Sequence, residues 1–455
     1  MAKTTLTCCG GVGNATGANF LLRHDGISIL VDCGLVQGSS FAMAENREAF
    51  PYEANEIDVL LVTHAHMDHI GRIPKLVRDG FSGVIYSTEE TRELASVMLA
   101  DARGLLEREA RETGLSPLYE EVDIAHALSL WKTISYHTST DIAPGISVFL
   151  KDAGHILGSA IIEVSLASNG KKIAFTGDLG NSPTPLLRDT EYVTDADYMV
   201  MESVYGDRNH EPKDVRDARL RQVIDDTVRR GGTVIIPTFS LERTQVILYE
   251  INNFIEDGKM ARVPVYLDSP LATRVTDIYR RHTHQFKDSV RAEIAAGDDI
   301  FNFPGLKIVS TPDESLSLDR RKEPKVILAG SGMSVGGRVL HHERSYLSDP
   351  KATILLVGYQ VAGSLGRQIE ERARHIIVDG ERVTVRAHIE KISGFSSHKD
   401  SNNLVEFASH TAPRIRRIFV AMGENKSSLF LAQRLSGELD IDAIVPEKNR
   451  EYELF

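Results

Sequence analysis

A chain of 455 residues is too long for one compact core, which implies two domains. Its 42% hydrophobic and 25% charged residues are those of a globular protein, and no apolar run reaches the length that crosses a membrane. Three cysteines without C-x-x-C spacing exclude a disulfide framework and a cysteine zinc site, and fit a reducing cytoplasm. The opening MAKTTLTCCGG carries no apolar leader. A net charge of −12 argues against indiscriminate nucleic-acid binding, but the charge is uneven. Residues 206–384 hold 27 Lys and Arg against 26 Asp and Glu, leaving 25 against 38 for the rest. A polyanion would therefore be held by the middle of the chain.

Short apolar runs at 27–31 and 59–62 read as strands, the first ending at Asp32 and Cys33. The second runs into VTHAHMDHIG, with His64, His66, Asp68 and His69 just past its end. A helix is expected from Thr88, an N-capping residue, with Glu89 and Glu90 in its first turn and Gly114 as its stop. Strands follow near 146–150, 160–166 and 173–175. From about residue 206 strands alternate with helices: 233–237, then a helix over 242–255; 263–267, then 271–281; 325–329, then 333–346; and 352–357. Such alternation builds a parallel sheet of its own. Runs at 383–387 and 418–421 resume the earlier rhythm. The fold class is α/β, with a domain over 206–384 inserted between the parts 1–205 and 385–455 of another.

Four ligand-type residues at H-x-H-x-D-H spacing are hard to explain except as a metal site. On an extended segment the alternating His64 and His66 point the same way, while Asp68 and His69 lie where the chain turns. Imidazole and carboxylate both suit zinc, with manganese the alternative. Further ligands should come from other strand ends. His155, in DAGHILGSA, and Asp178, in AFTGDLGN, occupy such places, with Asp178 suited to bridge two ions. Taken alone, His155 would read as a loop residue and Asp178 as a turn former.

HAHMDH, the isolated His155, FTGDLG and the early VDCG together resemble the metallo-β-lactamase fold, an αββα sandwich. MESVYGDR, GSGM, GSLGR and GFSSHKD, in that order, resemble its β-CASP branch of nucleases, over essentially the whole chain. The resemblance implies an inserted β-CASP domain and a metal-dependent hydrolysis of RNA phosphodiester bonds, with single-stranded RNA the substrate. It implies a first metal on His64, His66, His155 and Asp178, and a second on Asp68, His69 and Asp178. It also implies that Glu202 and His398 serve catalysis, with His398 the proton donor, Asp68 beside the reacting centre, and Asp32 orienting a ligand histidine.

One departure from the family stands out. Where RNA-cleaving members place a ligand histidine before Gly-Glu, this chain has Met422, a soft and uncharged thioether. That weakens the second metal position, with His388 and Glu424 as substitute ligands, or points to DNA, since DNA-processing relatives have an apolar residue there. A weakly active RNA-binding subunit is the remaining alternative. Gly330-Ser331-Gly332-Met333, read as the start of a helix, could grip a phosphate. Arg243 and Arg367 are candidate phosphate contacts, as are Arg338 and Lys399, although a solvated charge is the ordinary reading of each. No membrane partner is expected, and a homodimer is compatible with the sequence.

Overall fold

In the computed structural model, residues 3–38, 41–260, 262–360 and 363–455 are described. The chain forms two units, Met1–Asn209 with His398–Phe455, and His210–Ser397.

Two seven-stranded sheets build the first unit among the described residues. The first sheet runs Glu451–Glu453, Thr4–Gly10, Asn19–His24, Ile27–Val31, Val59–Leu61, Val84–Ser87, Trp131–Thr133. The second runs Ala443–Ile444, Arg417–Val420, Tyr198–Met201, Lys171–Phe175, Ala160–Leu166, Ile146–Asp152, Thr140–Ala143. Leu6, Phe20, Leu22, Val31 and Leu61 of one sheet share a buried core with Val148, Ile162, Val164, Phe175 and Phe419 of the other. The reverse face of the second sheet packs Ile161, Met199, Met201 and Val420 against Leu404 and Phe407 of helix Ser401–Ser409 and Leu431 and Leu435 of helix Asn425–Leu439. Strands buried on both faces need continuous apolar runs, which is why ISILV and YMVM lack polar alternation.

Direction decides where the polar residues collect. Ile27–Val31 is parallel to Val59–Leu61, and Lys171–Phe175 to Tyr198–Met201 and Arg417–Val420. Ile146–Asp152 reaches the same sense through two antiparallel steps. The residues just past these C-terminal ends are Asp32, Thr63-His64, Asp178, Glu202, Met422 and His155. Helix Glu89–Thr113 is capped by the Thr88 hydroxyl, which accepts from the Thr91 amide, and ends at Gly114 with φ +70, a conformation that disfavours a side chain.

The second unit is a six-stranded parallel sheet in the order Leu306–Ile308, Val265–Asp268, Lys325–Ala329, Thr233–Pro237, Thr353–Leu356, His388–Lys391. Two expectations shift. The apolar run at 383–387 does not return to the first unit: Glu381–Thr384 forms a hairpin with His375–Val378, and His388–Lys391 pairs with Thr353–Leu356. The crossing back falls between Ser397 and His398. The helix expected over 333–346 begins only at Arg338. Its would-be first turn is a loop closed on itself, the Ser331 amide donating to Gly336 O at 3.1 Å and the Val335 amide to the Ser331 hydroxyl at 3.1 Å.

Candidate metal centre

His64, His66, His155 and Asp178 converge in the first unit, each offering one ligand atom to a common point. His64 Nε2 and His155 Nε2 each lie 3.2 Å from His66 Nδ1, and 3.4 and 3.5 Å from Asp178 Oδ2. Ligand atoms bound tetrahedrally at roughly 2.0–2.1 Å are spaced by about 3.3 Å, so these separations are those of a tetrahedron's edges. Burial holds the imidazoles of His66 and His155 well below the usual histidine range, and that of His64 below it. They are neutral, the form that ligates a metal.

A second group joins Asp68, His69 and the shared Asp178. His69 Nε2 and Asp178 Oδ1 face each other at 3.4 Å, and neither buried atom has a hydrogen-bond partner. Two orphaned buried atoms of this kind are costly unless a cation satisfies both. The donor set therefore fits divalent metal: four donors at the first position, and three at the second, one of them shared.

Asp32 fixes the tautomers. Its carboxylate accepts from His69 Nδ1 at 2.7 Å, from the Thr63 amide at 2.8 Å and from the Thr63 hydroxyl at 2.8 Å. With its own proton given to Asp32, Thr63 Oγ1 accepts from His64 Nδ1 at 3.0 Å, leaving His64 Nε2 bare. Asp32 sits at φ +59, a left-handed conformation that aspartate tolerates better than bulky residues. Thr63 escaped the sequence reading; its only signal is that it directly precedes His64 at a strand end. Two residues on, a Cβ on Gly34 would lie 1.5 Å from Asp68 O, so the loop carrying the ligands passes there only because no side chain exists.

Glu202 and His398 form a third group with Asp178. His398 Nδ1 lies 3.3 Å from Glu202 Oε2 and 3.8 Å from Asp178 Oδ2. Glu202 Oε1 accepts the Leu179 amide at 2.5 Å, which ties it to the turn carrying Asp178. Burial lowers the His398 pKa, but the charges of Glu202 and Asp178 outweigh it and lift it to about 9. The two carboxylates thus favour the protonated form of His398.

Other expected groups lie elsewhere. Met422 is 1% exposed and packs in the core between the sheets with Cys8, Phe20 and Phe175. His388 is exposed on its strand in the second unit, and Glu424 is exposed at the start of helix Asn425–Leu439. Neither belongs to a ligand group among the described residues. Lys399 is no free cation: its ammonium is buried and donates to Gly180 O at 3.0 Å and Thr190 Oγ1 at 3.2 Å. In the second unit, Gly332 O accepts from Gln360 Nε2 at 3.0 Å, and Ser331 and Met333 are half-buried in the same loop. Arg243 there is buried and donates to Val357 O, Arg367 pairs with Glu371 at 2.8 Å, and Arg338 with Asp268 at 2.6 Å.

The chain matches the metallo-beta-lactamase superfamily over residues 13–237, the Beta-Casp domain over 244–369 and the Zn-dependent metallo-hydrolase RNA specificity domain over 382–446. It is 35% identical to Ribonuclease TTHA0252 of Thermus thermophilus across 94% of this chain and 95% of that one. The chain belongs to the β-CASP branch of the metallo-β-lactamase superfamily. This β-CASP chain is also 33% identical to an RNase J-like protein of Methanocaldococcus jannaschii, over 92% of each. It is 31% identical to the transcription termination factor FttA of Methanosarcina mazei over 96% of this chain and 69% of that one. A crystal structure of an Enterococcus faecalis protein of unknown function shares the fold at TM-score 0.58 and 14% identity, covering 99% of this chain and all of that one. Membership of a metallo-hydrolase family agrees with the divalent-metal donor sets. No described helix is long and apolar enough to cross a membrane.

Proposed function

We propose that the chain is a cytoplasmic zinc-dependent ribonuclease that hydrolyses phosphodiester bonds of single-stranded RNA. The observation that carries this reading is the contiguity of the ligand groups around Asp178 with the Glu202–His398 pair. When bound, divalent ions supply Lewis-acid stabilisation of the phosphate and water made acidic toward a pKa of about 7. The chain's own residues do the rest. Asp178 serves both positions, Asp32 fixes the ring of His69, and Asp68 stands beside the reacting centre. His398, kept protonated by Glu202 and Asp178, donates to the departing sugar oxygen. The relatives named as ribonucleases, together with the match to an RNA specificity domain, support RNA as the substrate class. In this reading Ser331, Met333 and Arg367 contribute to holding the phosphate backbone, while the buried Gly332 and Arg243 fix the shape of the loops around them. Manganese is the metal that could replace zinc.

Met422 favours a second reading, a DNA nuclease of the same architecture, because an apolar residue stands at that position in the DNA-processing relatives this chain resembles. Labelled single-stranded RNA and DNA incubated with the purified protein, with and without chelator, decide between them. We expect RNA cleavage that stops with chelator and returns with Zn2+. Cleavage of DNA alone, or RNA cleavage indifferent to chelator, would refute the proposal.

A further inference from the structure

A separate set of metal-type donors lies inside the second unit. Helix Arg338–Tyr346 carries His341 and His342 side by side, and the short turn Leu318–Arg320 carries Asp319. One ligand atom of each lies within 4.8 Å of the others. His342 Nδ1 is 3.5 Å from Asp319 Oδ1, and His341 Nε2 is 2.7 Å from Asp319 Oδ2. Asp319 Oδ1, His341 Nε2 and His342 Nδ1 are all inaccessible to solvent, and beyond these Asp319–histidine contacts none of the three atoms has a hydrogen-bond partner. The His342 side chain is 0% exposed. Three buried donor atoms that have only one another for partners are what a single cation satisfies together.

The surroundings orient the donors toward that point. His342 Nε2 donates to Asp268 Oδ2 at 2.7 Å, which leaves the Nδ1 lone pair facing Asp319. A carboxylate behind a ligand histidine is the arrangement that fixes ring orientation and raises basicity at metal sites. Asp268 is held in turn by the Ser315 hydroxyl at 2.5 Å and Arg338 Nη1 at 2.6 Å. Asp319 Oδ2 accepts from the Ser345 hydroxyl at 2.5 Å. The side chains of His341 and Asp319 remain 24% and 21% exposed, which provides an entry path and room for water ligands.

We propose that Asp319, His341 and His342 bind a divalent transition ion, Zn2+ above others, which pins helix Arg338–Tyr346 to the turn at Asp319. Two imidazole nitrogens and one carboxylate oxygen with a free coordination position match the preferences of zinc. None of the three residues belongs to the groups assigned to catalysis, so the site is structural and its existence is independent of the substrate. The competing occupant of the same place is a proton on His342, bridging Asp268 and Asp319.

The full-length protein, stripped with chelator and dialysed against Zn2+, distinguishes them. Wild type should retain one zinc equivalent more than His341→Gln and Asp319→Asn, whose RNA cleavage should be unchanged. Crystals soaked in Zn2+ should show an anomalous peak within about 2.0–2.2 Å of His341 Nε2 and His342 Nδ1. Equal zinc in wild type and variants, or anomalous density confined to the centre at His64, His66, His155 and Asp178, would overturn the proposal. Should the variants fail to fold, the anomalous map of wild-type crystals decides the matter alone.

Discussion

Around Asp178, His398 and the imidazoles of the first position have opposite tendencies: burial favours the neutral form of His64, His66 and His155, and the carboxylates of Glu202 and Asp178 favour the charged form of His398. That contrast separates a ligand of the first position from a proton donor. Replacing His398 with Gln should therefore lower kcat by about 10²–10⁴-fold while leaving the metal content unchanged. Elemental analysis beside single-turnover kinetics checks both halves. A loss of metal would make His398 a ligand instead. Met422 poses the converse question. It holds φ +50, a conformation in which histidine is better tolerated than most side chains, so Met422→His is compatible with the backbone. If a histidine there restores a fourth donor, affinity at the second position should rise about 10–100-fold, adding zinc at that position and increasing turnover. A zinc content and turnover unchanged from wild type in the variant would contradict this. His64, His66, Asp68 and His69 were legible because their spacing is local. His155 and Asp178 were legible from their places at strand ends. Lys399 was misread as a free cation because its partners Gly180 and Thr190 come from a distant loop.

Between strands, the residue that ties the second sheet together at the end away from the metal is Asp197. Its carboxylate accepts from Lys171 Nζ at 2.8 Å and the Lys172 amide at 3.1 Å, with Arg414 at 3.6 Å and Arg416 at 3.9 Å. Burial raises its pKa, but the bonds from Lys171 and Lys172 overcome this and hold it below the usual carboxylate value. A depressed pKa contributes stability that is full above the unfolded value of about 4 and disappears as pH falls through the folded one. Asp197→Asn should thus cost about 1–3 kcal/mol at pH 7, and the gap from wild type should narrow below pH ~4. Urea unfolding at the two pH values measures it, and an equal gap at both would reject the assignment. Element boundaries followed the same division between local and distant causes. The helix Glu89–Thr113 was readable from Thr88 and Gly114, which act within one turn. The late start at Arg338 was not, because Ser331 spends its amide and hydroxyl on a loop that apolar periodicity cannot reveal.

At the level of the whole chain, the first unit is assembled from two segments far apart in sequence. Arg417–Val420 pairs with Tyr198–Met201, and Glu451–Glu453 with Thr4–Gly10, so each sheet is completed by the last segment. The resumption of strands late in the sequence pointed to this insertion. It could not locate the crossing, because an apolar run such as 383–387 reads alike whichever sheet it joins. The two ends of the inserted segment are neighbours on the first unit: the Ser401 amide donates to Arg208 O at 3.0 Å, and the Asn402 amide to Asn209 Oδ1 at 3.1 Å. A short Gly/Ser linker from Asn209 to His398 therefore spans the gap without straining either sheet. All of His64, His66, Asp68, His69, His155, Asp178, Glu202 and His398 survive that excision. We expect the shortened protein to hold the same metal at the catalytic centre as the full chain, because its donors are all present. Its cleavage of RNA should nevertheless fall on the order of 100-fold if the excised residues bind the substrate, as lost substrate positioning costs rate. That expectation rests on charge alone: residues 206–384 are nearly balanced while the remainder of the chain is acidic, so a polyanion is repelled least by the middle of the chain. Undiminished RNA cleavage by the shortened protein would show that the first unit positions RNA unaided.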